Sequence, residues 1–151
     1  MLSDQVVNFY KQHKNMISPL RWVVRITPQT LWHLENKDRN HSRSQKEISI
    51  RSKCLLYVDQ IISKSHLYQE RKIELSPQYI KKDGKKIVAT INTEYFGLVW
   101  IIQYGDKKTR IKVVIKQVEW RNHAELLSVI PARKSEWYNT LYFDTTKNLI
   151  E

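Results

Sequence analysis

Apolar positions along this chain recur at two periods, and the change from one to the other divides it. In the first part they fall three and four apart. Val6, Val7 and Tyr10 share one face of a helix predicted from Ser3 to about His13, with Ser3 placed to cap it and Asp4 suited to its first turn. Leu20–Ile26 (LRWVVRI) reads as a short strand. Thr27-Pro28 is a strong helix start, with Thr27 as cap and Pro28 at the first helical position, for a short helix ending near Asn36. Asp38 to Arg43 reads as a polar loop. Ser44-Gln45-Lys46-Glu47 has the form of a capping box and opens a helix predicted to reach about Ser63, with Ile48, Leu55, Val58 and Ile62 on one face, joined by Ile50, Cys54, Tyr57 and Ile61.

After that helix the period shortens to two. Leu67–Leu75 resembles a strand. Asp83-Gly84 is a hairpin signal joining Tyr79–Lys82 to Lys85–Asn92, Gly105-Asp106 turns Phe96–Tyr104 into Thr109–Val118, and Arg121-Asn122 leads into His123–Ile130, with Pro131 closing the sheet. The later WYNTLYF reads as a last helix or strand covering an edge. Helices first and strands after predict an α+β fold: N-terminal helices packed on one face of a twisted antiparallel sheet, a meander of about four to five strands. With 151 residues, only 3 Gly and 4 Pro, and no linker or internal repeat, one domain spanning 1–151 is expected.

Charge adds a direction to that sheet. Lys and Arg number 26 against 15 Asp and Glu, a net +11. The excess gathers in residues 11–54, with ten basic and three acidic side chains, and in 78–134, with twelve and five. On the strand 109–118, Arg110, Lys112 and Lys116 share one face while Ile111, Val113 and Ile115 share the other. A sheet with an apolar underside and a cationic upper side suits an anion, and for a chain this basic the expected polyanion is nucleic acid.

Several classes are excluded. A single cysteine, Cys54, allows no internal disulfide and no Cys-rich zinc site, and its place in an apolar stripe reads as an inert buried thiol. No apolar run approaches the roughly 18–20 residues of a membrane span. The opening MLSDQVVNFYKQHKN is polar and acidic near its start, unlike a secretory signal, so a reducing cytoplasm is the expected compartment. Metal-ligand spacings, a phosphate-binding glycine loop, a serine elbow and the acidic clusters of a two-metal nuclease are missing, so no metal or cofactor is expected.

What is left is a set of His, Arg and Lys residues. His33 lies on the short helix, and His41 follows in the loop with Arg39 and Arg43. Arg110, Lys112 and Lys116 form the strand row, and Arg121, His123 and Arg133 flank the end of the meander. Such groups can cleave RNA without metal, because the 2′-hydroxyl supplies the nucleophile, imidazole moves protons near neutral pH and guanidinium grips phosphate. His33 or His41 is the expected acid/base, Arg110 and Lys112 the expected partners at the reacting phosphate, and Arg39, Arg43, Lys116, Arg121, His123 and Arg133 the expected substrate contacts. Blander roles stand beside these. His33 lies between Trp32 and Leu34 and can be a packing residue. His41 can be merely solvated, and the strand row can be a charged edge guarding against aggregation. Trp100, Tyr104, Tyr138 and Tyr142 are core candidates first and base-stacking candidates second.

The stretch I-T-P-x-x-L-x-H-L (Ile26 to Leu34), followed by a longer amphipathic helix and a basic meander ending in an apolar strand and Pro131, resembles the barnase–EndoU–colicin–RelE group of RNase toxins, nearest its phage-associated branches. The resemblance covers about residues 20–131. It implies metal-independent cleavage of RNA leaving a 2′,3′-cyclic phosphate, in a toxin–antitoxin, phage or competition setting. It also implies an acidic inhibitor, an antitoxin or immunity protein. The helix His of that pattern matches His33; Arg110 and Lys112 match its cationic strand positions loosely, and its final catalytic Ser, Thr or Tyr has no counterpart here. The alternatives are a nucleic-acid-binding protein without catalysis and a module docking onto an acidic protein.

Overall fold

Helix caps and glycine turns set several of the element boundaries in the computed structural model, which describes residues 2–20, 22–119, 121–132 and 147–150. Helix α1 (Asp4–Gln12) begins where the Ser3 hydroxyl accepts the Val6 N–H. A short antiparallel pair follows, β1 (Asn15–Ile17) and β2 (Val23–Ile26). Helix α2 (Pro28–Glu35) carries the reciprocal capping box of this fold: Thr27 Oγ1 accepts the Thr30 N–H, and Thr30 Oγ1 accepts the Thr27 N–H. The segment read as a polar loop folds into a minute hairpin, β3 (Asn36–Asp38) and β4 (His41–Ser42), because Asp38 Oδ1 accepts the Asn40 N–H at 2.8 Å and tightens the turn.

Ser44 caps α3 (Gln45–Leu55) as expected, but the helix predicted to reach Ser63 is broken. The Tyr57 N–H bonds back three residues to the Cys54 carbonyl, and the chain resumes as α4 (Val58–Lys64). Leu55 and Val58, on either side of the break, are both fully buried, as are Ile61 and Ile62.

The strands are longer than their patterns suggest. Two predicted pieces merge into β5 (Glu70–Lys82), with Pro77 inside; β5 is the outermost strand, so a residue without an N–H is tolerated there. Asp83 and Gly84 both take positive φ, the turn that suits two-residue hairpins, and lead into the 20-residue β6 (Lys85–Tyr104). Then come β7 (Lys107–Val118), β8 (Ala124–Ala132) and, far along the chain, β9 (Leu149–Ile150). Pro131 does not close the sheet; it pairs with Ile111 inside β8. The WYNTLYF segment, with Tyr138 and Tyr142, lies outside the described residues.

The fold is α+β, with four helices and a mostly antiparallel sheet among the described residues. The strand order is β1-β2-β8-β7-β6-β5, with β9 beside β6; only β2–β8 and β6–β9 run parallel. One face of the sheet carries Phe96, Leu98, Trp100, Ile102, Ile111, Val113, Ile115 and Leu126, packed against Val6, Phe9, Leu34, Leu55, Val58 and Ile61 of the helices. An extra residue in β8 at Leu127 lets Val129 return to that face.

Trp100 belongs to this core. Its indole N–H donates to Ser65 Oγ at 2.9 Å, and that hydroxyl donates to the Ile61 carbonyl at 2.6 Å. Ser65→Ala strands the buried indole N–H and should lower stability by about 1–3 kcal/mol, read as a fall in the urea midpoint at unchanged slope.

Candidate active site

His33 is the sequence candidate that the fold surrounds with charge. Helix α2 is fixed over β8 by the Thr30 hydroxyl, which donates to the Leu126 carbonyl, and by buried Leu34. That leaves His33 half-buried at the side of the helix, its ring edge-on to Trp32 at 5.1 Å. Gln29 Nε2 lies 3.4 Å from His33 Nε2; an amide N–H can only donate, so this contact suits Nε2 as the lone-pair nitrogen.

The small hairpin returns the chain beside α2. The Arg43 N–H donates to the Glu35 carbonyl at 2.7 Å, and Arg43 Nε donates to the His33 carbonyl at 2.9 Å. The same guanidinium donates through Nη1 to Glu47 Oε1 at 2.9 Å. Arg51, one turn further along α3, donates to the Val129 carbonyl at 3.1 Å. Its Nε stands 3.5 Å from Glu47 Oε1, an electrostatic contact rather than a hydrogen bond. Lys37 reaches the other Glu47 oxygen at 3.9 Å. One carboxylate thus sits among three cations, and the two arginine side chains are only 10% and 12% exposed.

Burial lowers the His33 pKa first, and the positive charges of Arg43, Arg51 and Lys116 lower it further. The result is an imidazole held neutral near pH 7 inside a positive field. Such a group can take a proton from a hydroxyl that approaches with an anion. Each guanidinium also keeps N–H groups beyond the bonds described.

The other sequence candidates have different settings. Arg110 is 3% exposed, on a stretch of the non-helical face where Val99 and Ile101 are also buried, so the cationic row expected there does not lie on the surface as a row. Lys112 pairs with Glu70 Oε2 at 2.9 Å in a shallow cavity of about 550 Å³ that also takes in Arg71, Glu74 and Tyr95. Gly97 lets that pair cross the sheet, since a Cβ there would meet Glu70 Cβ at 3.0 Å. Lys116 is half-buried opposite Glu125 and is the only member of the row among the charges that act on His33. His41 is exposed, with Nδ1 2.8 Å from Asp38 Oδ1, and the Asn40 N–H together with this imidazole holds the Asp38 carboxyl below its usual range. Arg39 is exposed on the same turn. Arg121 pairs with Glu125, and His123 is half-buried just before β8. Arg133 lies outside the described residues. Burial pushes the Cys54 thiol up to about 11, which fits the inert reading.

Sequence reasoning missed Arg51 and the part played by Glu47. The signal was there: Arg43, Glu47 and Arg51 are spaced four apart, and (i, i+4) neighbours meet on a helix. Lys112→Ala offers a control on the site. Its ion pair is partly exposed, so stability should change by less than about 1 kcal/mol, and any cleavage of RNA should be unaltered in a gel assay.

Among the described residues, no three His, Cys, Asp or Glu side chains are grouped to hold a metal ion, and no helix is long and apolar enough to cross a membrane. No family model, curated protein or solved structure matches the chain.

Proposed function

We propose that this protein is a metal-independent endoribonuclease of the toxin type, with His33 as the proton acceptor. The observation that carries the reading is the half-buried imidazole of His33 on a helix whose backbone Arg43 grips, with the charges of Arg43, Arg51 and Lys116 acting on it to lower its pKa. In the proposed step the RNA 2′-hydroxyl oxygen attacks the adjacent phosphorus and its proton passes to His33 Nε2, the lone-pair nitrogen, which exchanges the Gln29 N–H for it. The bond to the 5′-oxygen breaks, and that oxygen leaves with a proton from solvent or a second acid. The products are a 2′,3′-cyclic phosphate and a 5′-hydroxyl. The cations stabilise the added negative charge on the phosphoryl oxygens. The same positive field repels a divalent cation, which is why the chemistry is assigned to side chains alone. The resemblance of residues 20–131 to the RNase toxin group supports the reading. On this reading the protein acts in the cytoplasm and is held in check by an acidic antitoxin or immunity protein.

Incubation of total RNA with the protein and EDTA tests it. Discrete fragments ending in 2′,3′-cyclic phosphate are expected. Intact RNA, retained by the protein in a salt-sensitive way, would favour a nucleic-acid-binding protein that does not cut. That second reading draws on the guanidinium bonds to the His33 and Val129 carbonyls, which also serve as plain structural staples.

A further inference from the structure

The hairpin of β5 and β6 outruns the rest of the sheet. β7 accompanies β6 only to the Thr93–Val118 pair, and Glu119 still holds Asn92 through two bonds of 3.0 Å. From Ser76↔Ile91 to Lys82↔Lys85 the two strands pair only with each other among the described residues. At about 3.3 Å per residue this makes an arm of about 20 Å. Its end carries Lys81, Lys82, Lys85 and Lys86 against the single acid Asp83. One face presents the cross-strand pair Tyr79 and Val88, 72% and 59% exposed, and Lys86 Nζ stands 5.1 Å from the centre of the Tyr79 ring.

Charge on unpaired strand edges commonly guards against aggregation, and the lysines alone need no more than that. The apolar side chains exposed beside them are not explained that way. A lone two-stranded hairpin is marginally stable in water, so an arm of this kind gains from a ligand that covers it. Lys81 and Lys86 share the face of the open Tyr79 ring, and Lys82 and Lys85 lie on the opposite face of the ribbon. Cations on both faces of the tip beside an exposed ring match a flexible polyanion with flat apolar faces, which describes unpaired nucleotides. Duplex RNA offers no free base face, and its major groove is too narrow to be entered.

We infer that the β5–β6 arm holds single-stranded RNA, with the four lysines on phosphates and Tyr79 stacked on a base. The inference rests on the endoribonuclease reading for its biological sense: the arm is a substrate grip on strands that carry none of the residues assigned to the chemistry. Contacts made equally in ground and transition states change KM and leave kcat alone.

The test uses an unstructured oligoribonucleotide with 2′-O-methyl sugars, which cannot be cut, and fluorescence anisotropy between about 50 and 200 mM salt. Replacing all four lysines by Gln should weaken binding at least tenfold and flatten the slope of log affinity against log salt by about 0.7 per lysine removed. Tyr79→Ala should weaken binding about tenfold without changing that slope. With cleavable RNA both variants should raise KM at constant kcat. His33→Gln should do the reverse: kcat falls and binding of the probe is unchanged. Because the probe is never cut, absence of nuclease activity would leave the arm measurement standing. Wild-type affinity and slope in the lysine and tyrosine variants would overturn the inference. So would sedimentation showing a wild-type dimer that these changes convert to monomer, since the arm would then be covered by a second copy.

Discussion

His33→Gln is expected to lower the rate of RNA cleavage by about 10²–10⁴-fold, the usual contribution of a positioned acid or base. Gln fits the half-buried site and keeps a polar group beside Gln29, so the urea midpoint should stay near wild type. The pH profile separates this loss from general damage. A base works in its neutral form, and the folded-state pKa of His33 lies below the ordinary imidazole value. Activity should therefore persist below pH 6.5 and fall only as the pH drops through the lowered pKa. The same sign governs stability. In that window the unfolded chain binds a proton that the native state refuses, so the contribution of His33 is present above pH 6.5 and is lost as the pH falls through the folded pKa. Both the rate limb and this stability slope should vanish in the variant. A variant that cuts at the wild-type rate removes His33 from the mechanism.

Glu47→Gln is expected to destabilise the protein by about 2–4 kcal/mol, measured as a lower urea midpoint at unchanged slope. The carboxylate sits among Lys37, Arg43 and Arg51, and the two guanidiniums are nearly withdrawn from water. Gln preserves the volume and an acceptor oxygen but leaves those charges facing one another. The estimate lies below the full cost of breaking a buried pair because Glu47 itself is partly exposed. Adding Arg51→Met should recover part of the loss, since the uncompensated charge goes with it. In the single variant the acid limb of activity should move to still lower pH, because His33 then feels a stronger positive field. Wild-type stability would show that the cluster is already screened by solvent.

The helix starts are legible in the sequence because Ser3, Thr27-Pro28 and Ser44 act on their own neighbours, and two turns are legible because Asp83-Gly84 and Gly105 must take positive φ. Strand lengths are not, since pairing carries β5 straight through Pro77 and β6 through residues 93–95. Period two says that Arg110, Lys112 and Lys116 share a face; it does not say what covers that face. One is buried, one is ion-paired and one lies within electrostatic reach of His33. His33 is legible because a local cap places its helix. The Ser44–Glu47 pattern makes Glu47 the partner in a capping box, yet its carboxylate is drawn to the two arginines, and only the assembled α2, hairpin and α3 bring those charges beside the imidazole.

The union of β2 with β8 joins Val24 to Ala124, and the helix bearing His33 rests on the Leu126 carbonyl. During synthesis the first third of the chain must therefore wait, its helices capped but its sheet edge vacant, until the eighth strand has left the ribosome. Closing so long a loop costs little more than closing a moderate one, but it makes assembly slow. The ties that anchor the cationic cluster to the sheet, from Arg51 to the Val129 carbonyl and from Thr30 to the Leu126 carbonyl, form last, so a ribosome still translating this message carries a nascent chain whose site beside His33 is not yet fixed in place.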